Sequence, residues 1–76
     1  MSKAYYAPDT THAAQRWQEF LSTPPSRIAV DTETVSLEDR TMLGVGIALS
    51  GQEAFYITAD DPDLPQLIRI LASSQV

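Results

Sequence analysis

The chain has no cysteine, one histidine and three glycines, and only five lysines and arginines against ten aspartates and glutamates. Without cysteine no disulfide can reinforce the fold, which agrees with a reducing compartment. No apolar stretch approaches the roughly 20 residues of a membrane span. No basic segment leads into an apolar run at the N-terminus, as a secretory leader requires. The default expectation is therefore a soluble, cytoplasmic protein with no membrane partner. With so little basic charge, scattered over Lys3, Arg16, Arg27, Arg40 and Arg69, the segment has few groups of its own with which to hold phosphates. The glycines are equally restrictive. Gly44 and Gly46 sit inside a strand pattern, not between a strand and a helix, so a phosphate-cradling loop is excluded.

At 76 residues the sequence is at most one domain, and a chain of this size buries only about 60 to 65 per cent of the surface its unfolded form exposes. Ala4-Tyr5-Tyr6 could form a short edge strand. Asp9, Thr10 and Thr11 each carry an oxygen able to cap a helix N-terminus. Ala13, Trp17, Phe20 and Leu21, with Ala14 beside them, recur at helical spacing and place one apolar stripe against a sheet. Pro24 and Pro25 end that helix. Three strand patterns follow: Arg27 to Val30 running into the acids beyond it, Met42 to Leu49, and Glu53 to Thr58. The last two are separated by Ser50-Gly51-Gln52, where glycine tolerates positive φ. After an acidic turn from Asp60 to Asp63, Pro65 suits the first turn of a second helix with Leu64, Leu67, Ile68 and Leu71 on one face. No repeat, low-complexity tract or long linker divides the chain.

The chemistry lies in Asp31-Thr32-Glu33-Thr34. Successive side chains of a strand alternate between faces, so Asp31 and Glu33 project from the same face, roughly 6.5 to 7 Å apart along the chain. Two acids on one face repel, and their ionised forms coexist when a cation lies beside them. Mg²⁺ characteristically takes one or two protein carboxylates and completes its shell with water and substrate phosphate. The plainer reading is a pair of hydrated acids at the solvent end of a strand. Position favours the metal, because ligand sites of sheet proteins gather at the C-terminal ends of strands. For metal-dependent cleavage of a phosphodiester the net charge of −5 is a weaker objection, since acids gather the cations that contact phosphate.

Other residues read as structural. His12, near a helix start, is a solvated side chain before it is a ligand; Trp17 is a core anchor by its spacing; Gly44 and Gly46 permit close packing; and Ser36 lacks a partner that would make it a nucleophile.

Taken together, Asp31-Thr32-Glu33-Thr34, Ser36-Leu37, the strand from Leu43 to Ala48 and Ala54-Phe55-Tyr56-Ile57 resemble the first motif and first β-meander of the DEDD-type 3′–5′ exonucleases. The likeness is closest to the proofreading domain of DNA polymerase I (family A) enzymes, and runs from about Tyr5 to Leu71. It implies a ribonuclease H-like α/β fold, of which this chain would supply the α+β start: an N-terminal helix, a three-stranded antiparallel meander and a C-terminal helix. It implies two Mg²⁺ or Mn²⁺ ions, Asp31 and Glu33 as catalytic metal ligands, and Thr34 and Leu37 along the path of a single-stranded DNA 3′ end, Leu37 against the terminal base. By the same resemblance Asp31 bridges the two ions and Glu33 orients the attacking water. The family's other two aspartates, one in a later helix and one beside a tyrosine or histidine a helical turn earlier, have no counterpart here. Residues 1–76 are thus expected to be the N-terminal part of a larger exonuclease domain, partnered by the rest of the exonuclease or polymerase chain. A degenerate ribonuclease H-like scaffold without catalysis is the alternative, and a small α+β binding domain that has the acids by chance is a third.

Overall fold

The end of the first helix is set by Pro24 and Pro25: Thr23 before them adopts φ −138° and ψ 73°, while its N–H still reaches the Glu19 carbonyl at 2.8 Å. The computed structural model describes residues 3–36, 38, 39 and 41–73. Its elements run β1 (Lys3–Tyr6), α1 (Ala13–Ser22), β2 (Ala29–Thr34), β3 (Met42–Ala48), β4 (Ala54–Thr58) and α2 (Leu64–Ser73). The strands form one antiparallel sheet in the order β1-β4-β3-β2. The result is a small α+β domain.

The expected meander is present as β2-β3-β4, but the sheet has four strands rather than three. The addition is β1, which pairs with β4 from Lys3↔Ile57 to Tyr6↔Ala54. Side chains explain why so short a segment docks. Tyr5 lies against Phe55 with ring centroids 4.6 Å apart, and the Lys3 ammonium sits 2.8 Å from the Asp61 carboxylate.

Strand alternation sorts the side chains into two faces. Tyr5, Val30, Val45, Ile47, Phe55 and Ile57 share one face by register, and both helices pack there, α1 through Trp17, Phe20 and Leu21 and α2 through Leu67. Trp17 joins the layers, its ring 5.0 Å from Phe55 and 5.5 Å from Phe20. Its core assignment from spacing holds.

Local readings fared unevenly. The N-cap of α1 is His12, which is exposed and makes no side-chain cap, rather than Asp9, Thr10 or Thr11. Asp9 instead accepts hydrogen bonds from the Thr11 N–H at 2.9 Å and from its hydroxyl, so it closes the turn before the helix. In α2 the inward face is Leu64, Leu67, Ile70 and Leu71, while Ile68 is 51% exposed. Leu67 is fully buried and fixes the rotation, leaving Ile68 about 100° away around the axis. Among the described residues no glycine has positive φ. The β3–β4 turn closes instead through Leu49 and Ser50 N–H groups donating to the Glu53 carbonyl.

Two polar networks tie β1 to the helical layer. The Asp61 side chain is fully buried and accepts from Lys3 with both oxygens. Asp63 accepts from the Trp17 indole N–H at 2.7 Å and lies 3.2 Å from Lys3. Desolvation lowers the Lys3 pKa, but the hydrogen bonds and charges of Asp61 and Asp63 outweigh it and the net direction is upward. At the other end Arg16 grips both oxygens of Glu53 at 2.7 Å, and the Tyr5 hydroxyl donates to the same carboxylate. Arg16 first, then Tyr5, pulls the Glu53 pKa down to about 2. The acidic turn after β4 is thus part of the scaffold.

Candidate metal and nucleic-acid site

The face of the sheet opposite the helices carries the candidate site. By register its rows are Asp31, Gly46, Tyr56 and Ala4, then Glu33, Gly44 and Thr58, and on the other side Ala29, Ala48, Ala54 and Tyr6. Most of these residues are small, so the face is low and open. A shallow depression of about 330 Å³ lies on it, lined in part by Tyr6, Ala29, Asp31, Gly46, Ala48 and Tyr56.

Asp31 and Glu33 occupy consecutive same-face positions of β2, opposite Gly46 and Gly44. Both residues are exposed. A Cβ built at Gly46 would lie 4.0 Å from the Asp31 Cβ, which places that side chain on the glycine face. Neither carboxylate is hydrogen-bonded or ion-paired to another described residue. The nearest strand neighbours are glycines: Gly46 adds no side chain beside Asp31, whereas the space over Gly44, beside Glu33, is taken by the Tyr56 ring. Two exposed acids match in number the one or two carboxylates that Mg²⁺ takes from a protein. Two carboxylates would be only part of a metal ion's shell. Among the described residues no group of three or more His, Cys, Asp or Glu side chains is placed to hold a metal ion.

Thr34 ends β2 just past a register irregularity between Glu33 and Thr34, and its hydroxyl donates to the Ser36 carbonyl at 3.3 Å. It is therefore committed to the turn after the strand. Ser36 Oγ accepts from the Asp39 N–H at 2.9 Å and donates to the Glu38 carboxylate at 3.4 Å, and Val35 N–H donates to the Thr41 carbonyl, contacts that close the turn after β2. Leu37, the other residue expected along the substrate path, lies outside the described residues.

The sequence reading missed Tyr56 as part of this face. Its ring crosses Gly44, where a Cβ would overlap the hydroxyl and ring carbon and would fall 2.6 Å from the Ile57 carbonyl oxygen. The phenol is thereby carried into the row of Glu33, since Glu33 pairs with Gly44. The Tyr56 hydroxyl has no hydrogen-bond partner among the described residues, and can donate to a ligand oxygen or accept from water. A signal was present: a glycine in mid-strand marks close approach, and here what approaches is the aromatic side chain of the next strand.

The remaining acids are otherwise engaged. Asp61 and Asp63 hold Lys3 and Trp17, Asp60 accepts from the Thr58 hydroxyl, and Asp39 accepts from the Thr41 N–H at 3.0 Å. A larger cleft of about 750 Å³ beside α1 is lined by Arg16, Glu19 and Glu53. Those three groups are already satisfied by one another. Chemistry therefore concentrates on the open face.

Fold and site together define a two-layer α+β domain whose sheet face opposite the helices presents two carboxylates and a phenol that have no partner among the described residues. Comparison with known protein families, curated proteins and solved structures finds no match to this chain. Among the described residues no helix is long and apolar enough to cross a membrane.

Proposed function

We propose that this chain is the N-terminal part of a metal-dependent 3′–5′ exonuclease domain that trims single-stranded DNA from its 3′ end, in a proofreading role beside a DNA polymerase. The observation that supports it is the placement of Asp31 and Glu33 side by side on an open sheet face, free of any described cationic partner. The β2-β3-β4 meander is also the one that the resemblance to DEDD-type enzymes implies. Asp31 and Glu33 would hold Mg²⁺ or Mn²⁺, and such ions supply Lewis acidity toward a phosphoryl oxygen.

This chain's own residues then have limited tasks. Asp31 and Glu33 concentrate positive charge at the end of β2. Gly46 keeps the neighbouring strand low beside Asp31 for a phosphate backbone to approach, while Gly44 makes room for the Tyr56 ring. The Tyr56 phenol can donate to a phosphate or sugar oxygen. A ribonuclease H-like scaffold without catalysis is a second reading, favoured by the count of two acids where the resemblance calls for four.

Hydrolysis of 3′-labelled single-stranded DNA tests the proposal. The chain by itself is expected to leave it intact with either ion. A polypeptide joining the chain to the family's two downstream aspartate motifs is expected to trim it. In that polypeptide Asp31→Ala should lower kcat/KM by at least about 100-fold, the scale of losing a major electrostatic contact in the transition state. Trimming that survives Asp31→Ala, or robust Asp31-dependent cleavage by the chain alone, would overturn the assignment.

A further inference from the structure

Tyr56 is the direct cross-strand partner of Gly46, yet its ring does not lie over that residue. A Cβ built at Gly46 meets only the Asp31 carbonyl oxygen and Cβ, whereas one built at Gly44 would overlap the Tyr56 hydroxyl and the ring carbon that bears it. The side chain therefore leans diagonally across β3, away from the row of Asp31 and into the row of Glu33. Diagonal neighbours in a sheet are within reach of an aromatic side chain. Glycine at position 44 leaves that path open.

The lean puts a hydroxyl where the side chain opposite Glu33 would begin. Glu33 and Gly44 are paired in register, and opposed Cβ atoms of an antiparallel pair stand about 4.5 to 5.5 Å apart. The Tyr56 hydroxyl takes the place of the missing Cβ. Glutamate carries its oxygens on the second carbon beyond Cβ, so a staggered rotamer can bring one of them to hydrogen-bond distance of the phenol. Asp31 lies a row away and is one carbon shorter, so the same phenol does not serve it. On the helix side of the sheet the fold already makes such a pair, the Tyr5 hydroxyl donating to the Glu53 carboxylate.

We propose that Tyr56 is a positioning residue for Glu33: with an ion bound, the phenol donates to the carboxylate oxygen that is off the metal and so aims the other oxygen at it. The phenol has one hydrogen, and in that state it goes to Glu33; its oxygen remains an acceptor for water or a substrate hydroxyl. Ligating carboxylates are ordinarily hydrogen-bonded in this way, and losing such a partner typically weakens metal affinity by about 10- to 100-fold. The inference rests on the reading of Asp31 and Glu33 as ion ligands and adds the residue that orients one of them. Its geometry lies wholly within β2, β3 and β4.

The test is the Mn²⁺ affinity of the whole chain, titrated through the broadening of its amide signals. Tyr56→Phe removes a hydroxyl that has no partner among the described residues and keeps the ring over Gly44. It should weaken Mn²⁺ binding by at least about tenfold. Tyr6→Phe, which alters an exposed phenol on the same face, should change it by less than about twofold. In a Glu33→Gln chain, where Asp31 remains as a weaker site, adding Tyr56→Phe should cost no more than about twofold, because the carboxylate it positions is gone. An affinity untouched by Tyr56→Phe, while still dependent on Asp31 and Glu33, would overturn this inference and leave the ion-ligand reading standing. An equal loss from Tyr56→Phe with and without the Glu33 carboxylate would also overturn it. Binding indifferent to Asp31→Asn and Glu33→Gln would overturn both.

Discussion

Gly44 and Gly46 lie two residues apart on the same strand face, yet the structure assigns them opposite responses to one added methyl group. At Gly44 the new Cβ would overlap the Tyr56 ring and lie 2.6 Å from the Ile57 carbonyl oxygen. The ring can swing toward solvent, but the carbonyl belongs to the β3–β4 ladder and can yield only if the strands part. Overpacking of this kind costs roughly 1–3 kcal/mol. Replacing a strand glycine by alanine returns about 0.5–1 kcal/mol through the unfolded chain, leaving Gly44→Ala destabilised by about 1–2 kcal/mol. At Gly46 the nearest atoms to the new Cβ are the Asp31 carbonyl oxygen at 3.7 Å and the Asp31 Cβ at 4.0 Å, ordinary contacts. Gly46→Ala should therefore gain about 0.5 kcal/mol. In a domain of this size 1 kcal/mol moves Tm by about 4–8 °C. Thermal unfolding by circular dichroism should show Gly44→Ala lower by about 5–15 °C and Gly46→Ala unchanged or raised by a few degrees. Adding Tyr56→Ser to Gly44→Ala should restore part of the loss, because the carbonyl conflict remains. Equal Tm values for the two alanine variants would refute the arrangement of Tyr56 over Gly44.

The networks around β1 give two further expectations. Lys3→Met leaves the fully buried Asp61 side chain without its ammonium partner, and should cost about 3 kcal/mol in urea unfolding, the low end for breaking a buried pair; a loss under about 1 kcal/mol would contradict it. Glu53 is depressed from an ordinary value of 4.5 to about 2, so its contribution is complete above about pH 4.5 and is lost as pH falls through about 2. Glu53→Gln should flatten that part of the Tm-versus-pH curve, and an unchanged acid limb would remove Glu53 from the account.

Much of the frame was legible because it is local. Alternating apolar residues marked the strands, Trp17, Phe20 and Leu21 marked the inner face of α1, and Pro24 and Pro25 marked its end. Features that depend on distant partners were not. The pairing of β1 with β4 joins residues some 50 positions apart in sequence, and the Arg16–Glu53 and Lys3–Asp61 pairs have no periodic signature. Ile70 rather than Ile68 faces inward because the seat of Leu67 sets the helix rotation. At the site, strand alternation alone placed Asp31 and Glu33 together. The position of Tyr56 required the lateral register of β3 and β4, in which Gly46 pairs with Tyr56 and Gly44 with Thr58.

The claim that Asp31 and Glu33 form an ion-gathering pair is tested most directly by Mn²⁺-induced relaxation in NMR spectra of the chain. The account predicts that sub-stoichiometric Mn²⁺ broadens the amides of Asp31, Glu33, Gly44 and Gly46 first, and that Asp31→Asn with Glu33→Gln abolishes this pattern. Broadening centred on the Asp60 to Asp63 turn, or a pattern unchanged by the double substitution, would contradict it.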